Sequence, residues 1–312
     1  MFCIDFGASG GVDRNLEKML PDAKIALLEP GLEFFKKLPK KKGLVNLRAA
    51  AGRYSNETYL FNYETPGASI FKENSKILKR YAQHVVERKE NKQNKIKIKI
   101  TSIKKILKKI SFNRVDAIKI DTQGSELKIL EGLKDAGKLK NVCSIFCEAQ
   151  SIPESYKNSP KMIHILNFLS KNDFELFDIL PNRAFALIKK DSFKVPNFLG
   201  TSAKTMDIDL LFFKSQNYIL KMKNANLLFR QIISYCSYNY YLEAIQLVND
   251  SEKTFLNKRC SIEILNYIEN KYKKNTSLFL KILNLLPKKF FIINFIKNIL
   301  NQGIKRGFPH GS

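Results

Sequence analysis

The sequence has no tryptophan and only three histidines (His84, His164, His310), so a multi-histidine metal centre is not expected. Its five cysteines (Cys3, Cys143, Cys147, Cys236, Cys260) form no C-x-x-C and no metal-ligand spacing. An odd, scattered set reads as buried thiols in a reducing cytoplasm, not as a disulfide framework. No run approaches the ~18 continuous apolar residues of a membrane span. No charged-then-apolar start with a cleavage site precedes the first motif, so a secretory signal is not expected. Hydrophobic residues at 44% and charged residues at 27% exclude wholesale disorder. The 312 residues suggest roughly two domains and can bury a core without disulfide or metal staples.

Acidic residues are scarce: 29 Asp/Glu face 54 Lys/Arg, a formal charge of +25. The excess is localised. Residues 72 to 109 hold 14 basic and 3 acidic side chains, and residues 215 to 312 hold 15 and 5. Two readings stand: a compositional bias rich in Lys, Asn and Ile, or an anionic partner.

Up to residue 214, apolar runs alternate with amphipathic ones. Strands are expected at 1–6, 25–28, 44–48, 57–63, 95–101, 115–121, 142–148, 174–179 and 208–213. Helices are expected after Asp13 (an N-cap), over 31–38, 71–90, 102–110, from Gly124 to 135, and over 161–171. In 95–101 (Lys-Ile-Lys-Ile-Lys-Ile-Thr) the period of two gives a strand with one wet face. This order means βαβ crossovers and a mainly parallel α/β sheet. From 215 to 312 glycine nearly vanishes, and helices are expected near 216–230, 239–249, 260–273, 276–286 and 288–301. That gives two domains, 1–214 and a basic helical extension, 215–312.

Gly7-Ala8-Ser9-Gly10-Gly11 follows the first strand directly. Missing β-carbons there let a ligand approach the backbone, and a helix N-terminus beyond favours an anion. Glu29 ends the next strand, where an acid accepts hydrogen bonds from a ribose diol. Gly7-x-x-Gly10-Gly11 is not the G-x-G-x-x-G of pyrophosphate binders, so it suits S-adenosylmethionine, whose carboxylate would be the anion at the turn. Ile118-Lys119-Ile120-Asp121-Thr122-Gln123-Gly124-Ser125-Glu126 lies at another strand end, and Glu148 ends the strand after it. Glu126 has a second reading, as a first-turn acid complementing the helix dipole. Cys143 and Cys147 fall on a buried strand and read as packing, as do Tyr238, Tyr240 and Tyr241 in the helical extension.

Ile4-Asp5-Phe6-Gly7-Ala8-Ser9-Gly10, Leu28-Glu29-Pro30 and Ile118 to Leu127 together resemble the FkbM family of S-adenosylmethionine-dependent methyltransferases. Thr101, Glu148 and Asp209-Leu210-Leu211-Phe212 extend the resemblance, which covers about residues 2 to 214. It implies a class I methyltransferase fold: a Rossmann-like sheet of seven strands, mostly parallel with one reversed. It implies O-methylation of a sugar, glycan or related hydroxyl. By the same resemblance Asp5, Gly7, Ala8, Ser9, Gly10 and Glu29 hold the cofactor. Gln123, Gly124, Glu126 and Ser69 face the acceptor. Asp121, then Glu148, are the candidate bases, and no metal is required. Ser9 departs from the asparagine common in the family. Arg53 stands where an acid or amide is frequent, at the expected adenine contact.

Two alternatives stay open. The basic 72–109 segment would suit a nucleic-acid methyltransferase, but Phe71 and Tyr81 are its only stacking aromatics. Residues 278 to 300 mix Lys281, Lys288, Lys289 and Lys297 with Leu, Ile and Phe, which suits a non-catalytic module on an anionic membrane or a core helix pair broken at Pro287. The expected location is cytoplasmic, or peripheral at the inner membrane face.

Overall fold

The computed structural model describes residues 1–19, 23–65, 67–74, 95–150, 156–185 and 204–285. The chain divides into two compact units, Met1–Ser215 and Gln216–Ser312. Among the described residues the first holds ten strands: β1 Phe2–Phe6, β2 Lys24–Leu28, β3 Leu44–Leu47, β4 Ala50–Gly52, β5 Asn56–Phe61, β6 Lys95–Ser102, β7 Ala117–Ile120, β8 Ser144–Gln150, β9 Phe174–Phe185 and β10 Lys204–Lys214. Its helices are α1 Arg14–Glu17, α2 Leu32–Lys36, α3 Ile103–Lys109, α4 Glu126–Asp135 and α5 Met162–Ser170.

Seven strands form one sheet in the order β3-β2-β1-β7-β8-β10-β9. All its neighbours are parallel except β10, which runs antiparallel to both β8 and β9. This is the expected Rossmann-like sheet with one reversed strand. β1, β2 and β7 are apolar because both sheet faces are covered, and Ile4, Phe6, Ala26, Leu28, Ile118 and Ile120 belong to one core. The chain leaves β1 toward β2 on one side and enters β7 on the other. At such a switch point the loops after the strands part and leave a crevice.

Several local expectations need correction. The strands at 57–63 and 95–101 do not join the main sheet. They form a second sheet, β4-β6-β5, with β4, a three-residue run of small side chains too short to show a period. Residues 71–74 are not helical: Glu73 bridges Tyr156 and the Lys157 amide donates to the Lys72 carbonyl. The rest of the expected basic helix, from residue 75 on, lies outside the described residues. The strand begun at Phe174 runs on through Pro181 to Phe185, which an edge strand tolerates because it needs hydrogen bonds on one side only.

The second unit contains α6 Gln216–Met222, α7 Ala225–Ser237, α8 Tyr241–Glu252 and α9 Lys258–Leu285. The single helix expected over 216–230 is two. Lys223 takes φ +48°, and the Asn224 side chain caps α7 by accepting from the Leu227 amide. Conversely, 260–273 and 276–286 are one helix, since no glycine or proline interrupts Lys258–Leu285. Tyr238 is buried, and Tyr241 meets Tyr272 of α9 edge-on at 5.4 Å, so these tyrosines do pack. No helix among the described residues is long and apolar enough to cross a membrane. Residues 286 to 300, most of the segment considered for membrane contact, lie outside the described residues.

Candidate active site

A cleft of about 590 Å³, partly open to solvent, lies at the switch point. Gly7, Ser9, Glu29 and Pro30 line it on one side and Asp121, Thr122 and Ser125 on another. Ala49, Ala50 and Ala51 line it as well, together with Leu60, Thr65, Ala68 and Ile70. Glu29 and Asp121 therefore face the same hollow.

Gly7 has φ +86°, and a β-carbon there would lie 1.9 Å from the Asp121 carbonyl oxygen. The glycine thus permits the turn after β1 to pass against the loop after β7. The Gly7 and Ala8 amides both donate to the Leu28 carbonyl, at 3.0 and 3.1 Å. Ala8, in the same turn, is buried and does not line the cleft. The anion at the α1 N-terminus is Asp13 itself, whose carboxylate accepts from the Asn15 and Leu16 amides. No described residue engages the Ser9 and Gly10 amides. Gly10 has open space around it.

Glu29 is 5% exposed and accepts from the Gly31 amide at 2.7 Å. Burial raises its pKa. Asp5 is 1% exposed and lies beneath the turn rather than in the cleft, accepting from the Asp13 amide at 3.1 Å. Burial pushes its pKa to about 6, against the pull of Lys119. Arg53, expected near the adenine, turns away: it pairs with Asp135 at 2.7 Å and Glu131 at 3.2 Å. The wall at that place is the alanine run.

The loop 121–126 has two successive positive φ values, +56° at Gln123 and +113° at Gly124. Glu126 Oε1 holds it by accepting from the Thr122 amide, the Thr122 hydroxyl and the Gly124 amide, each at 3.0 Å. Ser69 donates to the Gln123 carbonyl at 2.6 Å. Glu126 and Ser69, expected to face substrate, thus direct these contacts into the loop. Gly124 packs on Phe71 and Ser159. Gln123 Nε2 donates to Asp121 Oδ1 at 3.1 Å and also to Glu148 Oε2, while Tyr156 donates to Gln123 Oε1 at 2.8 Å. One amide therefore joins both candidate bases. Burial would raise the Asp121 pKa, but Lys119 and the hydrogen bonds with Glu148 and Gln123 hold it below the ordinary range. Among the described residues no group of three or more His, Cys, Asp or Glu is arranged to hold a metal ion.

A family model, the methyltransferase FkbM domain, matches residues 5–176, from β1 into β9. The chain belongs to the FkbM methyltransferase family. No curated protein and no solved structure matches it. The enzyme is a methyltransferase, and enzymes of this family use S-adenosylmethionine. The residues present fit that cofactor. Glu29 and Asp121 line the cleft, Asp5 lies beneath it, and these acids outnumber Lys119, the cation that pairs with two of them, so the site favours a positively charged ligand. Lys119 and Tyr156 are missed by sequence reasoning; only the recurrence of a lysine inside an apolar strand could have pointed to the first.

Proposed function

We propose that this FkbM methyltransferase methylates a hydroxyl of a sugar, glycan or related polyol. The observation that carries the reading is Asp121, which lines the cleft and is joined through the Gln123 amide to the buried Glu148. Carboxylate oxygens fixed by a donor amide are acceptors suited to hydroxyl donors. Glu29 is assigned to the ribose diol, Ser9 and Gly10 to the carboxylate end of the cofactor, and Ala49 to Ala51 to the flat face of the base.

When bound, the cofactor supplies a methyl group already activated on a sulfonium. The protein then has to orient the acceptor oxygen and take its proton. Asp121 lines the cleft and accepts the hydrogen bond that aims the hydroxyl. Held ionised by Lys119, Asp121 alone is a weak base. The proton is taken up by the two carboxylates that the Gln123 amide joins, Asp121 and Glu148. The order of the two candidates is thereby reversed, with Asp121 orienting and Glu148 completing the base.

The test is release of the demethylated cofactor against a panel of glycans. Asp121→Asn and Glu148→Gln should each slow turnover by about a hundredfold or more. Their cofactor affinity should change less than about threefold. Wild-type turnover in either variant, or methylation of nucleic acid in preference to every glycan, contradicts the proposal.

A further inference from the structure

Lys119 lies on β7 directly across from Asp5 of β1. The strand period places Ile118 and Ile120 in the core, and Lys119 shares the opposite face with Asp121. Its side chain is 13% exposed. The ammonium is 3.2 Å from the Gly7 carbonyl oxygen, 3.4 Å from Asp5 Oδ1 and 3.3 Å from Asp121 Oδ2. These partners belong to the C-terminal end of β1, the turn after it and the loop after β7. Through Asp5, which receives the Asp13 amide, the same contacts reach the cap of α1.

A lysine is an expensive occupant of such a place, since an apolar side chain would avoid desolvating a charge. What the charge secures is position. The Asp121 side chain is 40% exposed and by itself would be free to change rotamer. With Oδ1 held by Gln123 and Oδ2 by Lys119, its carboxylate plane is fixed at the cleft wall. Lys119 touches neither the cleft nor, on the assignment above, the reacting atoms, and it works through the groups it holds.

We propose that Lys119 is a positioning residue that locks the cofactor turn and the Asp121 carboxylate into one unit. The proposal rests on the cleft being the cofactor and acceptor site. Burial alone would lower the lysine pKa; Asp5 and Asp121 more than offset this and hold it above the ordinary value, so the ammonium stays charged at every working pH.

The test uses the full chain, labelled with ¹³C at aspartate carboxyls, with Asp121→Asn assigning the resonance. In Lys119→Met the Asp121 titration should move up by about one pH unit or more. Affinity for S-adenosylmethionine, by calorimetry, should fall by about tenfold as the turn loses its anchor. Lys119→Arg should keep the wild-type titration. If the methionine variant does not fold, Lys119→Gln, neutral but still a donor, gives the same titration readout. A folded neutral variant with wild-type titration and wild-type affinity overturns the proposal. Failure of the wild-type chain to bind the cofactor overturns the functional reading instead, while the titration still decides the Lys119–Asp121 link.

Discussion

A β-carbon on Gly7 would lie 1.9 Å from the Asp121 carbonyl oxygen, so the residue that shapes the turn after β1 also sets how close the loop after β7 comes. Asp5 beneath it is sensitive to pH. Its folded pKa is about 6 against an ordinary 3.8. Between those values folding takes up a proton, so the stability contributed by Asp5 is complete below the unfolded pKa and is lost as the pH rises through about 6. Asp5→Asn should flatten that decline. Urea midpoints at about pH 4 and about pH 7 should therefore differ less in the variant than in the wild type; an equal difference in both contradicts the burial argument. Gly7, Glu29 and Asp121 were legible in the sequence because each ends or follows an apolar strand, where α/β sheets gather ligand groups. Lys119 was not, because a lysine in a strand reads as a wet-face residue until the partners on β1 are known. Arg53 misled for the reverse reason: its position pointed to the cleft, and the acids that draw it away are on α4.

The loop between β7 and α4 is built from inside by Glu126 and from outside by segments 69–74 and 156–159. Tyr156 fixes the orientation of the Gln123 amide by donating to its oxygen, which leaves the nitrogen for both carboxylates. Tyr156→Phe should cost about 1 kcal/mol in urea denaturation. It should also slow turnover by roughly tenfold with cofactor affinity unchanged, since the disturbed groups serve the acceptor. A loss of stability with full turnover would make Tyr156 merely structural. The parallel βαβ order was readable from alternating apolar and amphipathic runs. β4 escaped because three small residues carry no period, and the gap between α6 and α7 escaped because its signal, Asn224, resembles any polar residue within a helix. The unbroken α9 shows that a dip in hydrophobicity without a breaker does not end a helix.

The protein as a whole carries +25, yet Glu29 and Asp121 line its cleft, and Asp5 beneath it shares the Lys119 ammonium with Asp121. The local sign is opposite to the global one, which is what a cationic cofactor requires and what a site built for phosphate would avoid. The family match ends at residue 176, so the Gln216–Ser312 unit takes no role from it. The central claim is that the cleft between Gly7, Glu29 and Asp121 seats S-adenosylmethionine. Calorimetry on the full chain tests it most directly. The account predicts one cofactor per chain, with binding weakened by about tenfold or more in Glu29→Ala through loss of the charged hydrogen-bond acceptor. No binding by the wild-type chain, or equal affinity in the variant, would contradict it.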